Sequence, residues 1–187
     1  MKKIIAVIGD GNIGDDKEKY RIAFETGKAL VDAGYRVQCG GLGGVMEAAC
    51  KGARSSKNHK DGDVIAILPS FDRTEVNEYA DIAIPTGIDV MRNVIVANAD
   101  AVIAVGGGAG TLSEMAHAWS LKRLIISYSS VEGWSKKLAG QRIDGKIRYN
   151  GIDDKVFEVK TPEEAIKVLN EKIGLYVANY KKIQYIK

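Results

Sequence analysis

The sequence is poor in cysteine and histidine and has no long apolar run. Only two cysteines, Cys39 and Cys50, and two histidines occur in 187 residues, too few for a disulfide framework. No signal-peptide pattern or membrane-length apolar segment precedes the cysteines, so we expect a reduced, cytoplasmic protein. The 27 basic and 24 acidic residues give a net charge of +3 and form no long block. This spread disfavours a dedicated nucleic-acid or membrane surface and favours a small anion as the partner.

The length and apolar fraction fit one α/β domain spanning 1–187. With 45% hydrophobic residues, the chain can bury a core without disulfides or metal. Apolar runs typical of buried strands alternate with amphipathic helical segments. We predict a Rossmann-like, doubly wound α/β fold, a mainly parallel sheet with helices on both faces. The predicted strands are 3–8, 35–39, 63–68, 80–84, 101–105, 123–128 and 156–159, and the predicted helices include 17–33, 88–99, 112–121 and a last one that starts at Thr161.

Two segments give weaker patterns. Residues 129–149 are interrupted by glycine and basic residues, and the only prediction there is that Trp134 anchors the core. Trp119 is expected in the core or at a subunit interface. The tail 175–187 is rich in tyrosine and lysine, and we expect it to dock on the domain or on a second subunit.

One stretch, 100–114, organises the rest of the sequence. A run rich in β-branched residues ends in a glycine cluster, and helix-forming residues follow. This order predicts a buried strand, a tight turn and a helix. The first N–H groups of such a helix lack intrahelical partners and lie at the positive end of its dipole, so they attract an anion. We predict a phosphate site here, formed by Gly106, Gly107, Gly108, Gly110 and Thr111.

Two other glycine-rich loops follow predicted strands. Residues 40–47 and 107–114 both spell G-G-x-G-[GT]-x-x-E, and a further glycine loop occupies 9–14. Because the carboxyl ends of parallel strands meet at one edge of the sheet, the three loops should line one crevice. The candidate binding residues in the two additional loops are Gly9, Gly11, Gly40, Gly41 and Gly43.

The loop 9–14 also matches the G-x-G-x-x-G dinucleotide pattern. In that pattern an acidic residue closes the second strand and holds the ribose. Here the second strand ends Val37-Gln38-Cys39. An NAD-linked oxidoreductase is therefore the weaker alternative, and a glycine-rich loop at a strand end is favoured.

At these motifs the sequence resembles the Rossmann-like LOG proteins and their relatives, the molybdenum cofactor carrier proteins. The LOG signature P-G-G-x-G-T-x-x-E fits residues 107–114, and an alanine–aspartate pair precedes the strand at 99–100. The resemblance covers residues 1–128. It implies either a nucleoside 5'-monophosphate phosphoribohydrolase or a non-catalytic carrier of the molybdenum cofactor or a nucleotide. It also implies a homodimer or a higher homo-oligomer.

In the hydrolase alternative, Glu114 and Arg92 are the catalytic residues. A carboxylate stabilises an oxocarbenium-like state or activates water, while an arginine and the turn amides hold the phosphate. This alternative requires no cofactor. Glu114 and His117 have the E-x-x-H spacing of carboxylate metal sites, but the spacing occurs once without a partner motif, so we predict no metal site. Two simpler interpretations stay open. Thr111 and Glu114 also form a capping-box pattern, and Arg92 could form a surface ion pair.

Two departures from the hydrolase pattern favour the carrier branch. Gly106 stands where that pattern has proline, and Met91-Arg92-Asn93 stands where it has Met-His-Glu-Arg-Lys. The carrier branch binds a phosphorylated pterin, so the molybdenum cofactor would be cargo. Asn93 is then a candidate binding residue beside Arg92.

Overall fold

A computed structural model of the chain describes residues 1–176. The strands in this part are β1 (Ile4–Gly9), β2 (Arg36–Cys39), β3 (Val64–Leu68), β4 (Ile82–Pro85), β5 (Ala101–Val105), β6 (Leu124–Tyr128) and β7 (Phe157–Val159). The α-helices are α1 (Lys17–Asp32), α2 (Val45–Ser55), α3 (Asn93–Ala97), α4 (Ala109–Ser120), α5 (Trp134–Leu138) and α6 (Pro162–Lys172). The strands form one parallel sheet in the order β4-β3-β2-β1-β5-β6-β7. The predicted Rossmann-like α/β fold is confirmed.

Helices cover both faces of the sheet. Alternate residues of β1 enter two separate cores, because side chains along a strand point to opposite faces. Ile5 and Val7 join the core under α1, α2 and α6, whereas Ala6 and Ile8 join the core under α3 and α4. No helix in the described residues combines the length and apolarity needed to cross a membrane.

The order of the strands reverses between β1 and β5. The chain builds β1 to β4 towards one edge, then returns to place β5 on the other side of β1. β5 is buried along its whole length and pairs with β1 from Ile5 opposite Ala101 to Gly9 opposite Val105. The loops after these two strands therefore diverge from neighbouring points, which leaves a crevice between them.

The predicted helix 88–99 is wrong in its first half. Residues Asp89–Arg92 form a 3₁₀ turn, and α3 has only five residues. Asp89 has φ of +48°, a left-handed conformation that an α-helix does not accommodate. The helix predicted at 112–121 also begins earlier, at Ala109.

The segment 129–149 contains α5 and a buried arginine. Arg148 Nη2 lies 2.6 Å from Asp154 Oδ1, and Arg148 Nη1 donates to the Trp119 carbonyl at 2.9 Å. The guanidinium also stacks on the indole of Trp119, which lies in the core. Trp134 is half-buried and packs at the edge of the same core. Of the tail 175–187 that is predicted to dock, Tyr176 is buried and its hydroxyl donates to Asp154 Oδ1 at 2.7 Å, whereas residues 177–187 lie outside the described part of the chain.

Candidate functional site

A cavity of about 290 Å³ occupies the crevice between β1 and β5. Its walls come from the loop after β1, the start of α2, the turn before α3 and the first turns of α4. The lining residues are Gly9, Asp10, Gly11, Met46, Arg92, Asn93, Gly108, Gly110, Thr111 and Glu114. Eight of the sequence-predicted residues thus meet here, whereas Gly40, Gly41, Gly43, Gly106 and Gly107 lie outside the lining.

Gly106 and Gly107 shape the turn below the cavity. Their φ angles are +65° and +99°, which L side chains rarely adopt. The Gly106 N–H donates to Ser135 Oγ at 2.8 Å, and the Gly107 N–H donates to Asp10 Oδ2 at 2.8 Å. These two amides are therefore engaged inside the protein, and the amides that remain for an anion lie further along the chain.

The open amides belong to the first turn of α4. Gly108 is the N-cap residue and makes no side-chain capping bond, and the first helical bond runs from the Leu112 N–H to the Gly108 carbonyl at 3.0 Å. The N–H groups of Ala109, Gly110 and Thr111 have no partner among residues 1–176. A Cβ at Gly108 or Gly110 would meet no atom within 4 Å, so an anion can approach this backbone closely.

Arg92 and Glu114 form a buried ion pair beside these amides. Arg92 Nη1 donates to Glu114 Oε1 at 2.9 Å, and the residues are only 8% and 6% exposed. Burial raises the pKa of Glu114 to about 7, although Arg92 opposes the rise. Both simpler interpretations are wrong: Thr111 lies inside the helix and Glu114 does not cap it, and the pair of Arg92 is not on the surface.

The guanidinium of Arg92 packs directly against Gly40. A Cβ at Gly40 would lie 2.5 Å from Arg92 Nη2 and 2.7 Å from Met46 Sδ, so a larger residue here would displace the ends of both side chains from their present positions. Arg92 Nε is buried and has no hydrogen-bond partner among the described residues. Gly41 turns with φ of +77°, and the position of a Cβ on Gly43 lies 3.2 Å from the Gly11 carbonyl. The loop 40–44 therefore supports the cavity from behind.

The sequence prediction missed four residues: Asp10, Lys19, Met46 and Ser135. Asp10 Oδ2 accepts from both the Gly107 N–H and Lys19 Nζ, each at 2.8 Å, and the Asp10 carbonyl accepts from the Val45 N–H at 2.9 Å. Asp10 thus ties the loop after β1 to both of the other glycine loops. Its position two residues after the predicted strand 3–8 was the one available signal.

Asn93 completes the wall beside Arg92. Its side-chain Nδ2 donates to Ser113 Oγ at 3.2 Å, and the residue is buried. Met46 also lines the cavity, and its thioether carries no charge. Within the described residues, no group of three histidine, cysteine or acidic side chains is arranged to hold a metal ion.

The loop 9–14 does not have the geometry of the dinucleotide fingerprint. Gly14 has φ of +49° and precedes α1, which starts at Lys17 with Asp16 as its N-cap. In the fingerprint the third glycine packs inside a helix already under way. The loop instead contributes Gly9 and Gly11 to the cavity that the first turns of α4 also line.

Comparison with known proteins places the chain in a family. The model of the SLOG cluster4 family matches residues 2–166. An uncharacterised protein of Archaeoglobus fulgidus is 49% identical over 115 residues, which are 61% of this chain and 72% of that protein.

Three solved structures share the fold of this chain at sequence identities between 27% and 32%. The molybdenum cofactor binding protein from the phototrophic bacterium Rippkaea orientalis is 31% identical with a TM-score of 0.75, covering 91% of this chain and 97% of its own. The molybdenum cofactor carrier protein from Chlamydomonas reinhardtii is 27% identical with a TM-score of 0.72, covering 91% and 98%. The structural genomics target TM1055 is 32% identical with a TM-score of 0.76, covering 90% and 99%. The chain belongs to the SLOG cluster4 family, which confirms the predicted LOG-like and molybdenum cofactor carrier-like relationship.

Proposed function

We propose that the protein binds a small phosphate-bearing pterin, such as the molybdenum cofactor, as cargo and without chemical conversion. The observation that carries this proposal is that the N–H groups of Ala109, Gly110 and Thr111 are open at the first turn of α4, and that Gly110, Thr111 and Arg92 line one cavity. Backbone donors at a helix N-terminus and a guanidinium together recognise a phosphate group. The names of the two molybdenum cofactor proteins with this fold support a pterin as the rest of the ligand.

The carrier proposal is favoured over hydrolysis by the turn itself. Gly106 needs φ of +65° and donates its N–H to Ser135, whereas proline fixes φ near −65° and has no N–H. The turn of this chain therefore differs from one built on the P-G-G pattern of the hydrolases.

Purification under anaerobic conditions tests the cargo. We expect about one pterin per folded chain by mass spectrometry and fluorescence, and about a tenth of that with Gly110→Asp, because a carboxylate there competes with the phosphate for the same amides. The position of a Cβ on Gly110 is open, so the variant should fold. Gly145→Asp, at another open glycine outside the cavity, is the matched control. Equal pterin content in both variants would contradict the proposal.

Phosphoribohydrolase activity is the second candidate, because Glu114 is a buried carboxyl whose pKa is raised to about 7. Such a group is suited to acid–base catalysis near neutral pH. The assay is release of free base and ribose 5-phosphate from nucleoside 5'-monophosphates. The carrier proposal expects no release by the wild type. Release that is lost in Glu114→Gln would establish the hydrolase instead.

We also propose that two copies of the chain associate through an edge patch beside the cavity. The exposed large apolar residues there lie on β4, on or directly before the 3₁₀ turn, and on α3; they are Ile82, Ile84, Ile88, Val90, Met91, Val94 and Ile95. β4 is the outermost strand on its side of the sheet. Exposed apolar residues grouped on neighbouring elements favour association, and a two-fold axis would bring the same patch of two copies together. Met91 of the patch precedes Arg92, which lines the cavity, so a second copy bound at the patch would lie beside the cavity.

Charge placed on the edge patch should separate the copies. With Val90→Lys and Val94→Lys combined, light scattering should give the chain mass of 20.2 kDa, and the wild type should give twice that value. Ile147→Lys changes an exposed apolar residue outside the patch and should leave the mass of the wild type. A wild type that is monomeric at every concentration would remove this proposal.

A further inference from the structure

A buried carboxylate lies where the proposed phosphate has to bind. Glu114 lines the same cavity as the amides of α4, and its partner is the guanidinium that would attract the anion. We propose that binding of an anion at the first turn of α4 takes up one proton from solvent, which Glu114 accepts. Glu114 then determines the pH range in which the site binds its ligand. This inference rests on the phosphate site of the proposed function.

The charges around the cavity lead to this step. Arg92, from the turn before α3, is paired with Glu114, and Asp10, from the loop after β1, is paired with Lys19. α2 contributes the uncharged Met46. With both carboxylates ionised, the pairs cancel and an arriving dianion meets no net positive side-chain charge. Once Glu114 is protonated, the charge of Arg92 is available to the anion.

Because of its buried position, Glu114 can be protonated near neutral pH at a small cost in free energy. Glu114 is 6% exposed, and burial raises its pKa to about 7 before any ligand arrives. A bound anion disfavours the ionised carboxylate further. The affinity should therefore be constant well below pH 7, where Glu114 is already protonated. It should fall as the pH rises through about 7, because binding then has to take a proton from solvent.

Cys39, at the end of β2, is a further titratable group within residues 1–176 whose pKa is influenced by Arg92 and Glu114. Its pKa is lowered by a hydrogen bond with Cys50 and by the Gly41 N–H, and Arg92 contributes in the same direction. A thiolate there would also weaken anion binding at high pH. Cys39→Ser removes that ionisation and leaves Glu114 in place.

Inorganic sulfate is the appropriate probe, since it stays a tetrahedral dianion between roughly pH 5.5 and 9, whereas a phosphate monoester changes its charge near pH 6. We expect calorimetry on the full chain to show the affinity of the wild type falling by up to about tenfold per pH unit above pH 7. Glu114→Gln should give a constant affinity, at least about tenfold tighter than the wild type at pH 8.5. Cys39→Ser should follow the wild type.

Proton uptake is measured independently by repeating the titration in buffers of different ionisation enthalpy. The wild type should take up close to one proton per sulfate above pH 7, a result that needs no variant. Sulfate binding with the same affinity at all pH values and no uptake would overturn the proton linkage alone. No sulfate binding at any pH would overturn the linkage together with the phosphate site of the proposed function.

Discussion

Replacing Gly106 by proline is expected to reduce the free energy of unfolding by about 4 kcal/mol or more, enough to unfold many domains of this size. The φ of +65° at Gly106 is closed to proline, and the substitution also deletes the N–H that donates to Ser135 Oγ at 2.8 Å. Both changes occur at the turn between the central strand β5 and α4. Urea denaturation followed by circular dichroism measures the loss.

Gly110→Ala is the control for the proline variant. Gly110 lies in the first turn of α4, its φ is not left-handed and a Cβ there meets no atom within 4 Å. Alanine in a helix is favoured over glycine by up to about 1 kcal/mol, so this variant should be as stable as the wild type or more stable. A proline variant with the urea midpoint of the wild type would show that the turn is not held as described.

The turn is held by a segment whose role the sequence did not reveal. The N–H groups of Trp134 and Ser135 donate to the carbonyls of Gly107 and Gly106, each at 2.9 Å, and Ser135 Oγ accepts from the Gly106 N–H. A Cβ at Gly133 would come 2.4 Å from the Gly106 carbonyl carbon. The start of α5 thus fixes the path of the glycine turn, which in turn aims the open amides of α4 into the cavity.

The sheet could be predicted because its signals are local. β5 is an uninterrupted apolar run buried along its length, and glycines follow it directly, so strand, turn and helix are visible in a short window. The convergence of the loops after β1 and β5 then followed from the rule that parallel strands share their carboxyl edge. The cavity contains Gly9, Gly11 and Thr111 as that rule predicts.

The partners inside the site could not be predicted in the same way. Gly107 and Asp10 are 97 residues apart, and Arg92 and Glu114 are 22 apart, so their contacts depend on tertiary packing. The capping-box interpretation of Thr111 and Glu114 is wrong for the same reason, because it considers only local spacing and not tertiary packing. Thr111 and Glu114 have the correct spacing, but α4 starts at Ala109, and the carboxylate turns to the buried guanidinium instead.

Arg92→Met should weaken binding of inorganic phosphate by about a hundredfold, equivalent to about 2.7 kcal/mol at 25 °C. Methionine fills much of the same volume, so the loss comes from the missing charge and donors. The variant also leaves Glu114 buried without its cation, which raises the pKa of that carboxyl further because the opposing effect of Arg92 is gone. Calorimetry with phosphate at pH 6.5 measures the affinity, and thermal unfolding measures the stability.

The double variant Arg92→Met with Glu114→Gln separates the two effects. It removes both members of the ion pair, so no carboxyl is left buried without its cation, and stability should be close to the wild-type value. Phosphate binding should stay weak, because the amides of Ala109, Gly110 and Thr111 act without a guanidinium. A double variant that regains the affinity of the wild type would mean that the helix terminus alone binds the anion. Arg92 would then serve only to neutralise Glu114, and the cavity's selectivity would lie in the backbone of α4.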